Sequence, residues 1–294
     1  MSTQAYYVPA QSRWPILASV SLFLIAFGAG NLINALSANT GGGLGLSLLL
    51  IGALCMGLIL TGWFGHVIDE SRRGLYSDQM DRSFRWGMSW FIFSEIMFFS
   101  AFFGALFYVR NLSVPWLGGE GEKGVANMLW QGFEATWPLM KTPDMSAYPG
   151  PKGLIDPLHL PLVNTLLLLS SSVTVTFAHY RLKQDRRPQV IVWLVLTIAL
   201  GSAFLAFQAV EYAEAYHELG LTLHAGIYGA TFFILTGFHG MHVTLGTLML
   251  LIILLRVIRG HFEPDHHFGF EAVSWYWHFV DVVWVGLFLF VYLL

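Results

Sequence analysis

Two pairs of polar side chains at helical spacing are the residues of this chain best suited to chemistry. His239 and His242 stand three residues apart in an apolar stretch, so both imidazoles lie on one helix face, where they could hold a metal or, with partners, a haem. His278 and Asp281 repeat the spacing near the C-terminus, as a pair that orients an imidazole for metal or acid–base chemistry would require. Neither apolar stretch contains the Glu-x-x-His pattern of a di-iron bundle, and no nucleophile, phosphate loop or thiol accompanies His278 and Asp281. For His239 and His242 the sequence therefore favours hydrogen bonds to Ser, Thr or backbone groups across helices. For His278 and Asp281 it favours a polar pair that satisfies its own hydrogen bonds and fixes the rotation of the helix.

Glu95 is an acidic residue deep within an apolar segment. Four phenylalanines share its helix face, at positions 91, 98, 99 and 102. Intramembrane acids are expensive and are often functional, which favours a proton relay or a buried acid that reacts with hydrophobic carbodiimides. A hydrogen bond between two helices explains the residue equally well. Both interpretations stay open at this point.

The composition is that of a membrane protein. Of the 294 residues, 55% are hydrophobic and only 11% are charged, whereas soluble domains carry about 25% charged residues. Apolar runs of at least about 18 residues recur along the chain, as membrane-spanning helices require. The single cysteine, Cys55, excludes an intrachain disulfide and a cysteine-based zinc or iron–sulfur site.

Seven membrane-spanning helices are predicted, in an all-α integral membrane fold. Their approximate ranges are 15–37, 44–66, 86–109, 159–180, 190–212, 225–257 and 271–294. The predicted organisation is 1–66 for the first two spans, 67–85 for a charged loop, and 86–294 for the other five spans. The last part includes a long Pro/Gly-rich loop at about 110–158.

Basic residues predict the orientation, because cytoplasmic loops carry an excess of Lys and Arg. In the predicted topology, eleven of the 15 basic residues lie on the same side of the membrane as the N-terminus. The other four are Arg110, Lys123, Lys141 and Lys152. The N-terminus is therefore predicted to be cytoplasmic and the C-terminus to lie outside.

Small residues at helical spacing predict close contacts between helices. They are Ala53, Gly57, Thr61 and Gly65 on the second span, and Thr236, Gly240 and Thr244 on the sixth.

Five motifs in order resemble those of one family, subunit III of the haem-copper cytochrome c oxidases, and specifically a bacterial aa3-type member. They are Ser94-Glu95 with Phe98-Phe99; Pro161 to Thr165 leading to Ala178-His179; Gln208 with Glu211-Tyr212; Tyr228 to Phe233 with Thr236 to Val243; and Phe270-Glu271 with Trp275 to Trp284. The resemblance covers nearly the whole chain.

The resemblance implies an accessory subunit with no redox centre and no catalytic, cofactor-binding or metal-binding residue of its own. Helices 1–2 and helices 3–7 would form a V-shaped cleft filled by structural phospholipids. The complex would hold haem a, haem a3, CuA and CuB in subunits I and II, with cytochrome c as the electron donor. The chain would stabilise subunit I, support proton uptake and lie in the bacterial inner (plasma) membrane. No nucleic acid partner is expected.

The resemblance also assigns residues. Glu95 matches the family's buried carboxylate, and Glu70, Phe64 and Arg256 match positions near the cleft lipids, with Trp63 as a neighbour. Arg256 and its basic neighbours could equally be ordinary positive-inside residues that snorkel to headgroups. Asp69 stands where the family often has a basic residue, which puts one headgroup contact in doubt.

Three other functions are compatible with the sequence. The chain could be subunit III of a related quinol oxidase, since the donor is chosen in subunit II. It could be an independent haem- or metal-binding membrane protein built on His239, His242 and His278. It could also be a proton or ion transporter that uses Glu95.

Overall fold

A computed structural model describes residues 11–294, and this part of the chain is helical with no strand. Seven helices are long and apolar enough to cross a membrane, which confirms the predicted number. They are α1 (Trp14–Ser37), α2 (Gly43–Arg72), α3 (Asp78–Tyr108), α4 (Leu160–Lys183), α5 (Arg187–His217), α6 (Gly226–Ile258) and α7 (Phe268–Leu287). A π-helical segment and one further turn extend α3 to Leu117, and a second π-helical segment extends α7 to Leu293.

Helices α2 and α3 run well beyond the apolar windows that predicted them. The charged segment 67–85 was predicted as a loop, but only residues 73–77 lie between the two helices. Apolarity marks the part of a helix that lies in lipid, whereas a helix continues until a residue stops it. Gly74, with φ of +67°, follows the end of α2, and two aspartates occupy the first turn of α3, where the helix dipole favours acids.

The long loop between α3 and α4 has little regular structure. It contains a 3-10 helix at Gly124–Leu129 and a turn held by the Asp144 carboxylate. This carboxylate accepts hydrogen bonds from the Ser146 hydroxyl at 2.6 Å and from two backbone N–H groups. The Ser146 hydroxyl, together with those N–H groups, lowers the pKa of Asp144 below its usual value.

The chain forms two compact units that divide between Phe84 and Arg85. In the first unit, α1 and α2 approach closely at glycines. A methyl group at Gly28 would lie 2.5 Å from the backbone N of Leu49, and one at Gly45 would lie 2.5 Å from that of Leu32. The close helix contact predicted at Gly57 on the second span was wrong, since a methyl group at Gly57 would meet nothing within 4 Å. The V-shaped cleft stays a prediction.

In the second unit, the indole of Trp277 on α7 is fully buried in a notch between two glycines. A methyl group at Gly201 on α5 would lie 2.7 Å from Cη2 of this indole, and one at Gly246 on α6 would lie 2.8 Å from Cε3. The indole Nε1 donates to the Ser171 hydroxyl on α4 at 2.9 Å. Trp277 therefore joins four helices, whereas Gly240 of the predicted sixth-span stripe has open space beside it.

Candidate functional site: buried acid–imidazole contacts

Glu95 on α3 forms a pair with His242 on α6. Oε2 of Glu95 lies 3.0 Å from Nε2 of His242, and Nδ1 of His242 lies 2.7 Å from the Phe238 carbonyl oxygen. The His242 side chain is 7% exposed and that of Glu95 is 21% exposed. The sequence indicated each residue separately but did not predict their pairing.

The pair must hold one proton between its two facing atoms. A carbonyl oxygen only accepts hydrogen bonds, so Nδ1 of His242 carries a proton and donates to Phe238. Nε2 then either bears a second proton and donates to a carboxylate, or accepts a hydrogen bond from a protonated Glu95. In both states the pair is neutral overall, which is the condition under which an acid is tolerated among apolar side chains.

Aromatic rings enclose this pair. The His242 ring lies 5.0 Å from that of Phe99 and 6.3 Å from that of Tyr276, measured between centroids. Phe98, which also shares the Glu95 face, packs edge-on against Phe238 at 5.0 Å. The predicted phenylalanine face of the third span therefore packs around the carboxyl–imidazole contact.

His239 is buried one helical turn from His242 and serves a different contact. Its Nε2 lies 3.2 Å from the Val280 carbonyl oxygen on α7 and donates to it. The ring lies 5.6 Å from Phe204 and 5.1 Å from Trp284. This is the backbone hydrogen bond across helices that the sequence favoured.

His278 and Asp281 do not bond each other directly. Nδ1 of His278 lies 4.0 Å from Oδ2 of Asp281 but only 2.6 Å from the Ser172 hydroxyl on α4. Nε2 of His278 lies 3.4 Å from the Thr176 hydroxyl. The imidazole therefore joins α7 to α4, as a structural histidine would.

A second polar cluster, missed by the sequence analysis, lies at the N-terminal end of α7. Glu271 forms an ion pair with Arg85 on α3, and its Oε1 lies 3.1 Å from Nε2 of His267 and 3.6 Å from Nε2 of His179 on α4. Ligand atoms of His179, His267 and Glu271 all lie within 4.8 Å of one another, a geometry compatible with a metal ion. The only signal in the sequence was the i, i+4 spacing of His267 and Glu271. That no residue of this chain binds a metal stays a prediction.

A third cluster surrounds Glu211 near the C-terminal end of α5. Its Oε1 accepts hydrogen bonds from the Tyr292 hydroxyl at 2.6 Å and from Nε2 of Gln208 at 3.1 Å. Beside it, the hydroxyls of Tyr212 and Thr236 lie 2.7 Å apart and link α5 to α6. All three clusters thus connect helices of the same unit.

The residues assigned to lipid binding are divided between the two units. In the first unit, Trp63 and Phe64 are exposed and their rings stack at 6.4 Å, while Oε2 of Glu70 accepts a hydrogen bond from the Tyr76 hydroxyl at 2.8 Å. In the second unit, the guanidinium of Arg256 lies 4.3 Å over the ring of Phe262 and its Nε has no hydrogen-bond partner in the described structure.

Seven long apolar helices in the described part of the chain define a polytopic helical membrane protein. The family model described as "Cytochrome c oxidase subunit III" matches residues 4–121 and 125–294. The chain is 39% identical over 291 residues to cytochrome c oxidase subunit 3 of Struthio camelus, covering 98% of this chain and 96% of that protein. The identity to the same subunit of Prototheca wickerhamii is 38% over 295 residues, covering 99% of this chain and 98% of that protein. The chain belongs to the cytochrome c oxidase subunit III family, a component of an oxidoreductase complex.

Proposed function

We propose that this chain is the non-catalytic subunit III of a proton-pumping aa3-type cytochrome c oxidase in a bacterial inner membrane. In this role it stabilises subunit I, supports proton uptake and holds structural phospholipids. The haems and copper ions belong to subunits I and II. The relatives compared above are from eukaryotes, so the bacterial aa3 assignment rests on the motif resemblance, and the cytoplasmic N-terminus rests on the basic residues.

The observation that carries this proposal is that the intramembrane histidines are already engaged in contacts within the chain. Nδ1 of His242 donates to the Phe238 carbonyl and its Nε2 faces Glu95, while Nε2 of His239 donates to a backbone carbonyl. Nδ1 of His278 lies against a serine hydroxyl. A haem or metal bound through Nε2 of His239, Nε2 of His242 or Nδ1 of His278 would have to break those contacts, which favours the accessory role over the independent haem protein.

Glu95 fits the role of a proton-holding link between α3 and α6. Glu95 and His242 share one proton. When this proton moves from one residue to the other, the total charge of the pair does not change. We expect Glu95→Gln to keep the contact, because an amide N–H can donate to Nε2. Glu95→Leu should break it and lower the stability of the complex; equal stability of the two variants would contradict this role.

The proposed lipid sites rest on exposure and charge. Trp63 and Phe64 offer exposed aromatic surface, and Arg256 places a positive charge near the end of α6. A lipid phosphate would pair with the charge of this guanidinium.

The test is purification of the tagged chain from its own membranes in a mild detergent. The proposal expects it to copurify with haem- and copper-containing subunits that oxidise reduced cytochrome c, and expects the chain to be colourless once separated from them. If the complex oxidised quinol instead of cytochrome c, the chain would be subunit III of the related quinol oxidase. A Soret band from the separated chain would contradict the accessory role.

A further inference from the structure

A polar patch opens outward at mid-height on the shared surface of α4 and α7. We call it the His278 patch and define it as Ser172, Thr176, His278 and, beneath them, Asp281. At 1.5 Å per residue, His278 lies about 15 Å along α7 from its first residue, near the middle of the span. The His278 side chain is 40% exposed, and Thr176 is exposed beside it. Polar groups at this depth usually face protein rather than lipid.

The neutral imidazole of His278 has two tautomers, and the first carries its proton on Nε2. The Thr176 hydroxyl donates to the Ser172 carbonyl oxygen at 2.9 Å, so its oxygen is left to accept from Nε2 of His278, 3.4 Å away. A neutral imidazole with its proton on Nε2 has a bare Nδ1. Nδ1 then accepts a hydrogen bond from the Ser172 hydroxyl, which lies 2.6 Å away. The single proton of Ser172 is thereby committed to His278.

This assignment leaves Asp281 without a donor. The residue is only 4% exposed, and neither carboxyl oxygen has a hydrogen-bond partner in the described part of the chain. Ser172 lies within reach of the carboxyl, but its proton points to His278. A buried polar group without a partner is unfavourable. In the other tautomer Nδ1 of His278 donates to Ser172 and Ser172 can donate to Asp281, but Nε2 then has no donor, because the Thr176 hydroxyl donates to a carbonyl. With either tautomer the patch therefore lacks one donor in the described chain.

A hydrogen-bond donor from outside the chain would complete the patch. If such a group donates to Nε2 of His278, the imidazole carries its proton on Nδ1 and donates to the Ser172 oxygen. The Ser172 hydroxyl is then free to donate to Asp281. Lipid acyl chains offer no donor, whereas Ser, Thr, Tyr, Trp, Asn and Gln side chains on another helix do.

We infer that the His278 patch is the docking surface for a transmembrane helix of a partner subunit, one that presents a hydrogen-bond donor to Nε2 of His278. Apolar side chains exposed around the patch would pack against that helix; they are Leu169, Val173 and Val282. The inference rests on the proposed membership of an oxidase complex and adds the contact surface to it.

The first test measures how firmly the chain stays in the purified complex as detergent is increased. For His278→Phe we expect a dissociated fraction about 3- to 10-fold higher than in the wild type, the effect of one interhelical hydrogen bond in a membrane. His278→Gln keeps an acceptor and should restore most of the retention. The matched control is His159→Phe, since His159 is exposed just before α4 and lies outside the patch.

A second measurement does not depend on the stability of a variant. A photoreactive amino acid at position 282, where Val282 is 71% exposed, should form an adduct with a membrane-spanning partner subunit. Adducts only with lipid or with a second copy of this chain would overturn the inference, as would equal retention of the His278→Phe and His159→Phe variants. A wild-type chain that purifies without any partner would instead overturn the proposed function, and this inference with it.

Discussion

The Trp277 notch predicts that two glycines of the same helix will respond differently to the same substitution. A methyl group at Gly246 would lie 2.8 Å from Cε3 and 3.0 Å from Cζ3 of Trp277. The indole has no room to move away, because its other side packs against Gly201. A methyl group at Gly201 would lie only 2.7 Å from Cη2. At Gly240, also on α6, a methyl group would meet nothing within 4 Å.

The magnitudes follow from two opposing effects. Replacing a helical glycine by alanine stabilises a helix by up to about 1 kcal/mol. Forcing a methyl group into a packed core costs about 1–3 kcal/mol. Gly240→Ala should therefore be neutral or stabilising, and Gly246→Ala should be neutral to destabilising by about 2 kcal/mol. The difference between the two variants is expected to be about 1–3 kcal/mol.

The assay is unfolding in mixed micelles, followed by loss of helicity as a denaturing detergent is added. A Trp277→Phe background supplies the second arm, because the smaller ring makes room for the methyl group. Gly246→Ala should cost less in that background than in the wild type, and the coupling energy measures the contact. Equal stability of the Gly246→Ala and Gly240→Ala variants would refute the notch as described.

Three further predictions concern hydrogen bonds, lipid and buried acid. Trp284→Phe removes the 2.9 Å hydrogen bond from Nε1 to the Thr165 hydroxyl and should lower the free energy of unfolding by about 1–2 kcal/mol in the same assay; an unchanged unfolding midpoint would contradict this. Arg256→Ala should reduce the phospholipid retained by the purified protein, whereas Arg259→Ala, three residues on and exposed, should not, as judged by phosphate analysis. A hydrophobic carbodiimide should label Glu95 ahead of the other carboxylates, and mass spectrometry that found labelling spread evenly would count against its enclosed position.

The number of helices could be predicted from the sequence because apolar runs report burial in lipid directly. Their ends could not, since α2 continues to Arg72 through charged residues that are good helix formers outside the apolar core. The choice of contact glycine also escaped prediction. Gly57 and Gly240 belong to the predicted stripes but have open space beside them, whereas Gly246, outside those stripes, accommodates Trp277.

The candidate site was predicted in its residues but not in its pairings. Glu95 and His242 each stood out as polar residues within apolar segments, yet they are 147 positions apart and only the packing of α3 against α6 brings them together. The same holds for His278 and Ser172, which lie on α7 and α4. The spacing of residues within one helix shows which side chains share a face. Which helix that face contacts depends on how the helices are arranged.

The most direct test of the accessory role is mass spectrometry of the intact complex purified through this chain, together with an absorption spectrum of the chain after separation. We expect one copy of this chain together with the haem- and copper-containing subunits and bound phospholipid, and no haem absorption from the separated chain. A separated chain that retains haem, or a preparation that contains this chain alone, would contradict it.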